Sequence, residues 1–78
     1  MTARDEVLAA ARRLSAASAD GVFTIEEVLA VMRKEGTRYA ESTIRTHVAS
    51  RMCANAPDHH AIVYRDLLRV GDGRYKLA

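Results

Sequence analysis

The stretch "FTIEEVLAVMRKEG", residues 23–36, leaves this chain the least conformational freedom. Thr24 and Glu27 stand three apart as a capping box, and Phe23 before the cap can staple onto Val28 at the fourth helical position. Ile25, Val28, Leu29 and Met32 then recur at helical spacing and define a buried stripe. Arg33 and Lys34 suit the negative end of the helix dipole, and Gly36 is placed to end the helix. Val22 and Phe23 can pair briefly as a strand before the helix starts.

Two further helices are predicted on either side. The first begins near Thr2, whose hydroxyl can cap a turn closed by Asp5, and carries Val7, Leu8, Ala11 and Leu14 inward until "SAASADG" breaks it. The third, about 41–54, follows the short connection "GTRYA". With Ala40 as cap, Tyr39 staples onto Ile44 and the inner stripe reads Ile44, Val48 and Met52. Alanine has no side-chain acceptor, so the first N–H groups of this helix are left for water or for a phosphate.

Beyond Pro57 the texture changes to the polar loop "NAPDHH" and then to "AIVYRDLLRVGDGRYKLA". The alternation predicts a hairpin over 68–77 with Leu68, Val70, Tyr75 and Leu77 inward, Gly71-Asp72-Gly73 as its turn, and Arg69, Arg74 and Lys76 outward. The approach from Ala61 to Leu67 is expected to add Ile62 and Tyr64 to the core.

A chain of 78 residues forms one domain, 1–78, and buries only about 60% of its unfolded surface. Much of its apolar content is alanine and it has no tryptophan, which argues against an aromatic-lined cavity, so no small-molecule ligand and no cofactor is inferred. No run approaches the ~18 apolar residues of a membrane span, and the N-terminus is acidic where a signal peptide is basic. A single cysteine, Cys53, makes no internal disulfide and fits a reducing, cytoplasmic setting. Charge is unevenly divided: residues 1–36 sum to −1 and residues 37–78 to +3, so a polyanion would meet the C-terminal half.

The order helix, short strand, helix, helix, hairpin, carried by "TIEEVLAVMRKEG", "YAESTIRTHVASRM" and "LLRVGDGRYKL", resembles a small bacterial winged helix-turn-helix domain over nearly the whole sequence. The resemblance implies an α+β fold of three helices plus a C-terminal two-stranded wing. It also implies sequence-specific binding of double-stranded DNA by a transcriptional regulator or repressor associated with the nucleoid. The third helix would then enter the major groove.

Counted from Ala40, positions Glu41, Ser42, Arg45, Thr46 and Ala49 lie along an outward edge of that helix. Arg45 can bond guanine O6 and N7 in bidentate fashion, and Glu41 can accept from a cytosine amino group. Ser42 and Thr46 are short enough to serve a base edge or a phosphate, and Ala49 can meet a thymine methyl. Phosphate contacts fall to Thr37, Arg38, Arg51, Arg69, Arg74 and Lys76. Arg51 has a rival role, pairing with Asp66 or Asp58, and Asp72 at the wing tip argues against minor-groove insertion. The alanine-rich first helix is a candidate homodimer surface, or simply the third wall of the core.

Other chemistries are less well supplied. His47, Cys53, His59 and His60 lack the paired spacing of a zinc site, so no metal is expected. There is no nucleophile elbow, phosphate-binding glycine loop or coherent acid pair, and no enzyme is expected. Two alternatives to a specific regulator remain: a winged-helix protein-interaction module and an architectural protein with little sequence preference.

Overall fold

The computed structural model of the chain describes residues 1–56 and 64–78. It is an α+β arrangement of helices packed on a three-stranded antiparallel sheet. The order is α1 (Ala3–Ala17), β1 (Phe23–Thr24), α2 (Ile25–Lys34), α3 (Glu41–Thr46) running directly into a π-helical turn (His47–Arg51), β2 (Leu67–Gly71) and β3 (Arg74–Leu77). No described helix is long and apolar enough to cross a membrane.

Both expected capping boxes form. The Thr2 hydroxyl accepts from the Asp5 N–H at 3.2 Å while the Asp5 carboxylate accepts from the Thr2 N–H at 3.1 Å. Thr24 and Glu27 repeat the exchange at 3.1 and 2.8 Å, so each helix begins with donors already satisfied. Thr24 is also the last residue of β1, paired with Arg74, one position later than the strand anticipated at Val22 and Phe23. The neighbouring Ile25 N–H bonds the Gly73 carbonyl at 3.0 Å, which pins the start of α2 to the hairpin turn.

α2 ends in a Schellman arrangement. Thr37 N–H returns to the Met32 carbonyl and Gly36 N–H to the Arg33 carbonyl, each at 3.0 Å, with Gly36 at φ +75°. A side chain there would be strained, which is why glycine stands at this turn.

The core is one cluster that includes Val7, Ala10 and Ala11 of α1, Phe23 of β1, Val28, Leu29 and Met32 of α2, Ile44, Val48, Met52 and Cys53, and Leu67 and Tyr75 of the sheet. Small residues on α1 let it lie close against the others. Ala10 and Ala11 are therefore spent inside the protein, and Ala16 and Ala17 are the alanines that α1 leaves exposed.

The third helical segment is shorter than expected and changes pitch. It ends at Arg51 rather than 54, and its last turn bonds i to i+5, with Met52 N–H on the His47 carbonyl at 2.8 Å. The chain then stitches itself to β2: Asp66 and Leu67 N–H both reach the Met52 carbonyl, and Ala54 N–H reaches the Leu67 carbonyl. Asn55 extends the seam, its amide oxygen accepting from the Arg69 N–H at 2.8 Å and its amide nitrogen donating to the Arg69 carbonyl at 3.0 Å. It thus occupies backbone groups on the edge of β2.

This seam corrects the expected hairpin. Leu67, not Leu68 or Val70, is the fully buried residue of β2, and Val70 is 44% exposed. Leu67 pairs with Leu77 and Arg69 with Tyr75, so Arg69 shares the Tyr75 side instead of pointing away with Lys76; the ladder shifts between Arg69 and Gly71, where Val70 is thrown outward. Tyr64 also departs from expectation: it is 37% exposed, with the Arg4 guanidinium 4.2 Å over its ring. Arg4 in turn forks onto Asp66 through two 3.0 Å bonds, taking the carboxylate that Arg51 was expected to contest. The expectations for Asp58, His59, His60 and Ile62 lie outside the described residues.

The observed register has a direct test. Leu67→Ala should cost about 2–5 kcal/mol in denaturant unfolding, as for a large aliphatic removed from a packed core. Val70→Ala should stay within about 0.5 kcal/mol, as at an exposed site. The reverse ranking would restore the alternation that places Val70 inside.

Candidate nucleic-acid interface

α3 presents an outer surface because Ile44 and Val48 turn its other side into the core. No side chain caps its start, as expected from Ala40. The expected groove residues on this surface divide into two groups according to what they touch.

Glu41 and Arg45 face α2. Arg45 Nη2 donates to Glu26 Oε1 at 2.6 Å and its Nε to Glu41 Oε2 at 3.0 Å, while Glu41 Oε1 accepts from Arg33. The result is a ladder, Glu26, Arg45, Glu41, Arg33, that joins both ends of α2 to α3. The Glu41 carboxyl is held below its ordinary range by Arg45 first and Arg33 second. The Arg45 guanidinium is pushed further up by Glu26 and then Glu41, so both groups stay charged.

Ser42 and Thr46 face elsewhere. With Thr43, His47 and Arg51 they line a shallow cleft of about 280 Å³. The Thr46 hydroxyl donates to the Ser42 carbonyl at 2.9 Å, which leaves its oxygen free to accept. His47 Nδ1 lies 2.8 Å from the Thr43 carbonyl, so in the neutral ring Nδ1 carries the proton and Nε2 is the acceptor. Ala49 is half-buried and does not line this cleft. Thr43 was not among the residues expected on the outward edge, yet it lines this cleft together with His47.

The phosphate candidates are scattered. The Thr37 hydroxyl is taken by Glu6 of α1, to which it donates at 2.8 Å, and it also accepts from the Tyr39 N–H. Arg38 stacks over Tyr39 at 5.3 Å and lines a different cleft, with Met1, Glu6 and Arg13 between α1 and the end of α2. Arg69 reaches across the turn to Asp72 at 2.8 Å, and Asp72 is fully exposed at the tip. Arg74 and Lys76 are exposed and form no ion pair among the described residues. Cys53 is buried, its thiol donating to Asn55 at 3.2 Å. No three His, Cys, Asp or Glu side chains converge among the described residues.

A family described as a domain of unknown function, DUF7669, matches residues 4–77, and the chain belongs to it. No curated protein and no solved structure matches the chain.

The ladder makes a prediction about acid. A carboxyl whose folded pKa is depressed contributes stability above its ordinary value, 4.5 for Glu41, and loses it as pH falls through the folded value. Asp5 and Asp20 are lowered too, chiefly by backbone N–H groups, and add to the same slope. Thermal melts from neutral pH to about pH 2 should therefore show Glu41→Gln losing less stability in acid than the wild type. Identical acid slopes would mean that the two arginines do not hold the carboxylate.

Proposed function

We propose that this member of the DUF7669 family, a membership that carries no activity with it, is a winged helix-turn-helix domain binding double-stranded DNA. α2, the Gly36 turn and α3 would form the helix-turn-helix, and β2 and β3 the wing. The role that follows is sequence-specific transcriptional regulation, most simply repression, at the nucleoid.

The observation that carries this reading is the exposed surface of α3. A helix enters a major groove ~12 Å wide when its outer side chains are short enough for close approach and can bond base edges. Ser42 and Thr46 meet the first requirement. Arg45 supplies a base-reading fork, and Arg51 at the end of the cleft supplies a phosphate contact. Arg74 and Lys76 extend the phosphate contacts along the wing, whose tip is kept from the minor groove by Asp72. So few basic residues bind modestly and with strong salt dependence, and a second copy or a tandem site would be needed for high occupancy. A homodimer would use the outer side of α1, where Ala16 and Ala17 border a shallow hollow with Leu14 and Val31.

A second reading, a protein-interaction module, is favoured by one feature: the ladder neutralises Arg33 and Arg45 within the protein. Binding to a pool of random duplexes at two salt concentrations, followed by sequencing of the bound fraction, separates the readings. An enriched motif is expected, and Arg51→Ala and Lys76→Ala should each lower the logarithmic salt slope by about 1 while leaving the motif unchanged. Salt-sensitive binding with no motif would indicate an architectural protein, and no binding at low salt would leave the interaction module.

A further inference from the structure

Arg45 is fastened through two of its three guanidinium nitrogens. Its Nε and one Nη2 hydrogen go to Glu41 and Glu26. A guanidinium carries five N–H donors in a rigid plane, so Nη1 and the second Nη2 hydrogen remain uncommitted among the described residues. Nη1 and that hydrogen are the donors left for an outside acceptor such as guanine O6 or N7, on a side chain 40% exposed.

Local charge decides which acceptor is welcome there. Glu26 and Glu41 balance Arg45 and Arg33, so the ladder as a whole is neutral. A phosphate approaching the fork meets two carboxylates already within 3.0 Å of the same guanidinium, and like charges repel. An uncharged base edge meets no such opposition. The two carboxylates also fix the rotamer beforehand, so the freedom that a loose arginine loses on binding is already lost in the free protein.

Resting on the DNA-binding reading above, we propose that Glu26 and Glu41 are positioning residues that aim Arg45 at a guanine edge and keep it off phosphate. Arg45 then contributes sequence choice with little salt dependence, and Arg51, Arg74 and Lys76 contribute the reverse. Glu26 comes from α2 and Glu41 from α3, so the docking of the two helices sets the direction of the fork.

The test uses the full chain, Arg45→Ala, Arg51→Ala and the double variant Glu26→Gln with Glu41→Gln. Each is measured over a salt series on the duplex enriched by the wild type and on one lacking the motif. Arg45→Ala should weaken binding to the enriched duplex about tenfold to a hundredfold, erase one guanine from the motif and leave the salt slope in place. The double glutamine variant should bind the unrelated duplex more tightly, with a slope steeper by about 1, and prefer guanine less. Thermal melting checks that each variant folds, and either single glutamine variant can replace the double one. If Arg45→Ala lowers the slope and the unrelated binding as much as Arg51→Ala does, Arg45 is a phosphate contact and the proposal fails while DNA binding stands. Unchanged guanine preference in the glutamine variants sinks it equally. A wild type that binds no duplex removes both the proposal and the reading beneath it.

Discussion

At Thr24 a strand becomes a helix within one residue. Its backbone is paired with Arg74 in the sheet, its hydroxyl holds the Glu27 N–H, and its own N–H is held by the Glu27 carboxylate. With Ile25 bonded to Gly73, no linker remains in which α2 could swing relative to the hairpin. The direction of α2 relative to the hairpin is therefore fixed by hydrogen bonds as well as by side-chain packing. Every later element takes its bearing from this one, since the Gly36 turn hands α2's direction on to α3. Loss of the Thr24 hydroxyl would remove an acceptor that the first turn of α2 needs, at a typical cost of ~1 kcal/mol.

The parts of the fold that were legible in the sequence are those decided locally. Both capping boxes, the glycine stop at Gly36, the uncapped start at Ala40 and the stripe Ile44, Val48, Met52 each depend on residues a few positions apart, and each is present. The register of β2 was not legible, because Leu67 and Leu68 are both leucine and alternation cannot choose between them. Their choice is made by the Met52 carbonyl, 15 residues back in the chain, which bonds the Leu67 N–H. Asn55 is hidden for the same reason. A polar residue in a loop gives no sign that its amide will pair with the backbone of Arg69, 14 residues on.

The surface followed a similar division. That α3 would present Ser42 and Thr46 outward followed from its inner stripe, and both are exposed. That Arg45 would be shared with Glu26, 19 residues away on another helix, required the docking of α2 against α3. Charge counted along the sequence treats each arginine as equal. Among the described residues Arg4, Arg13, Arg33, Arg45 and Arg69 are matched with carboxylates, which offsets much of their charge within the protein. A basic excess in one half of a sequence thus says less about a surface than the pairing pattern does.

The π-helical turn bears on where Arg51 stands. Nine residues separate it from Ser42, about two and a half turns of an α-helix, which would put the two on opposite sides. Instead both line one cleft. A turn bonded i to i+5 rotates the chain less per residue, and over His47–Arg51 the shortfall brings Arg51 round to the side of Ser42 and Thr46. It works as a phase shift, equivalent to one residue inserted into the helix. A single helical segment can thereby keep Ile44, Val48, Met52 and Cys53 all inside while gathering outward residues that a uniform pitch would scatter.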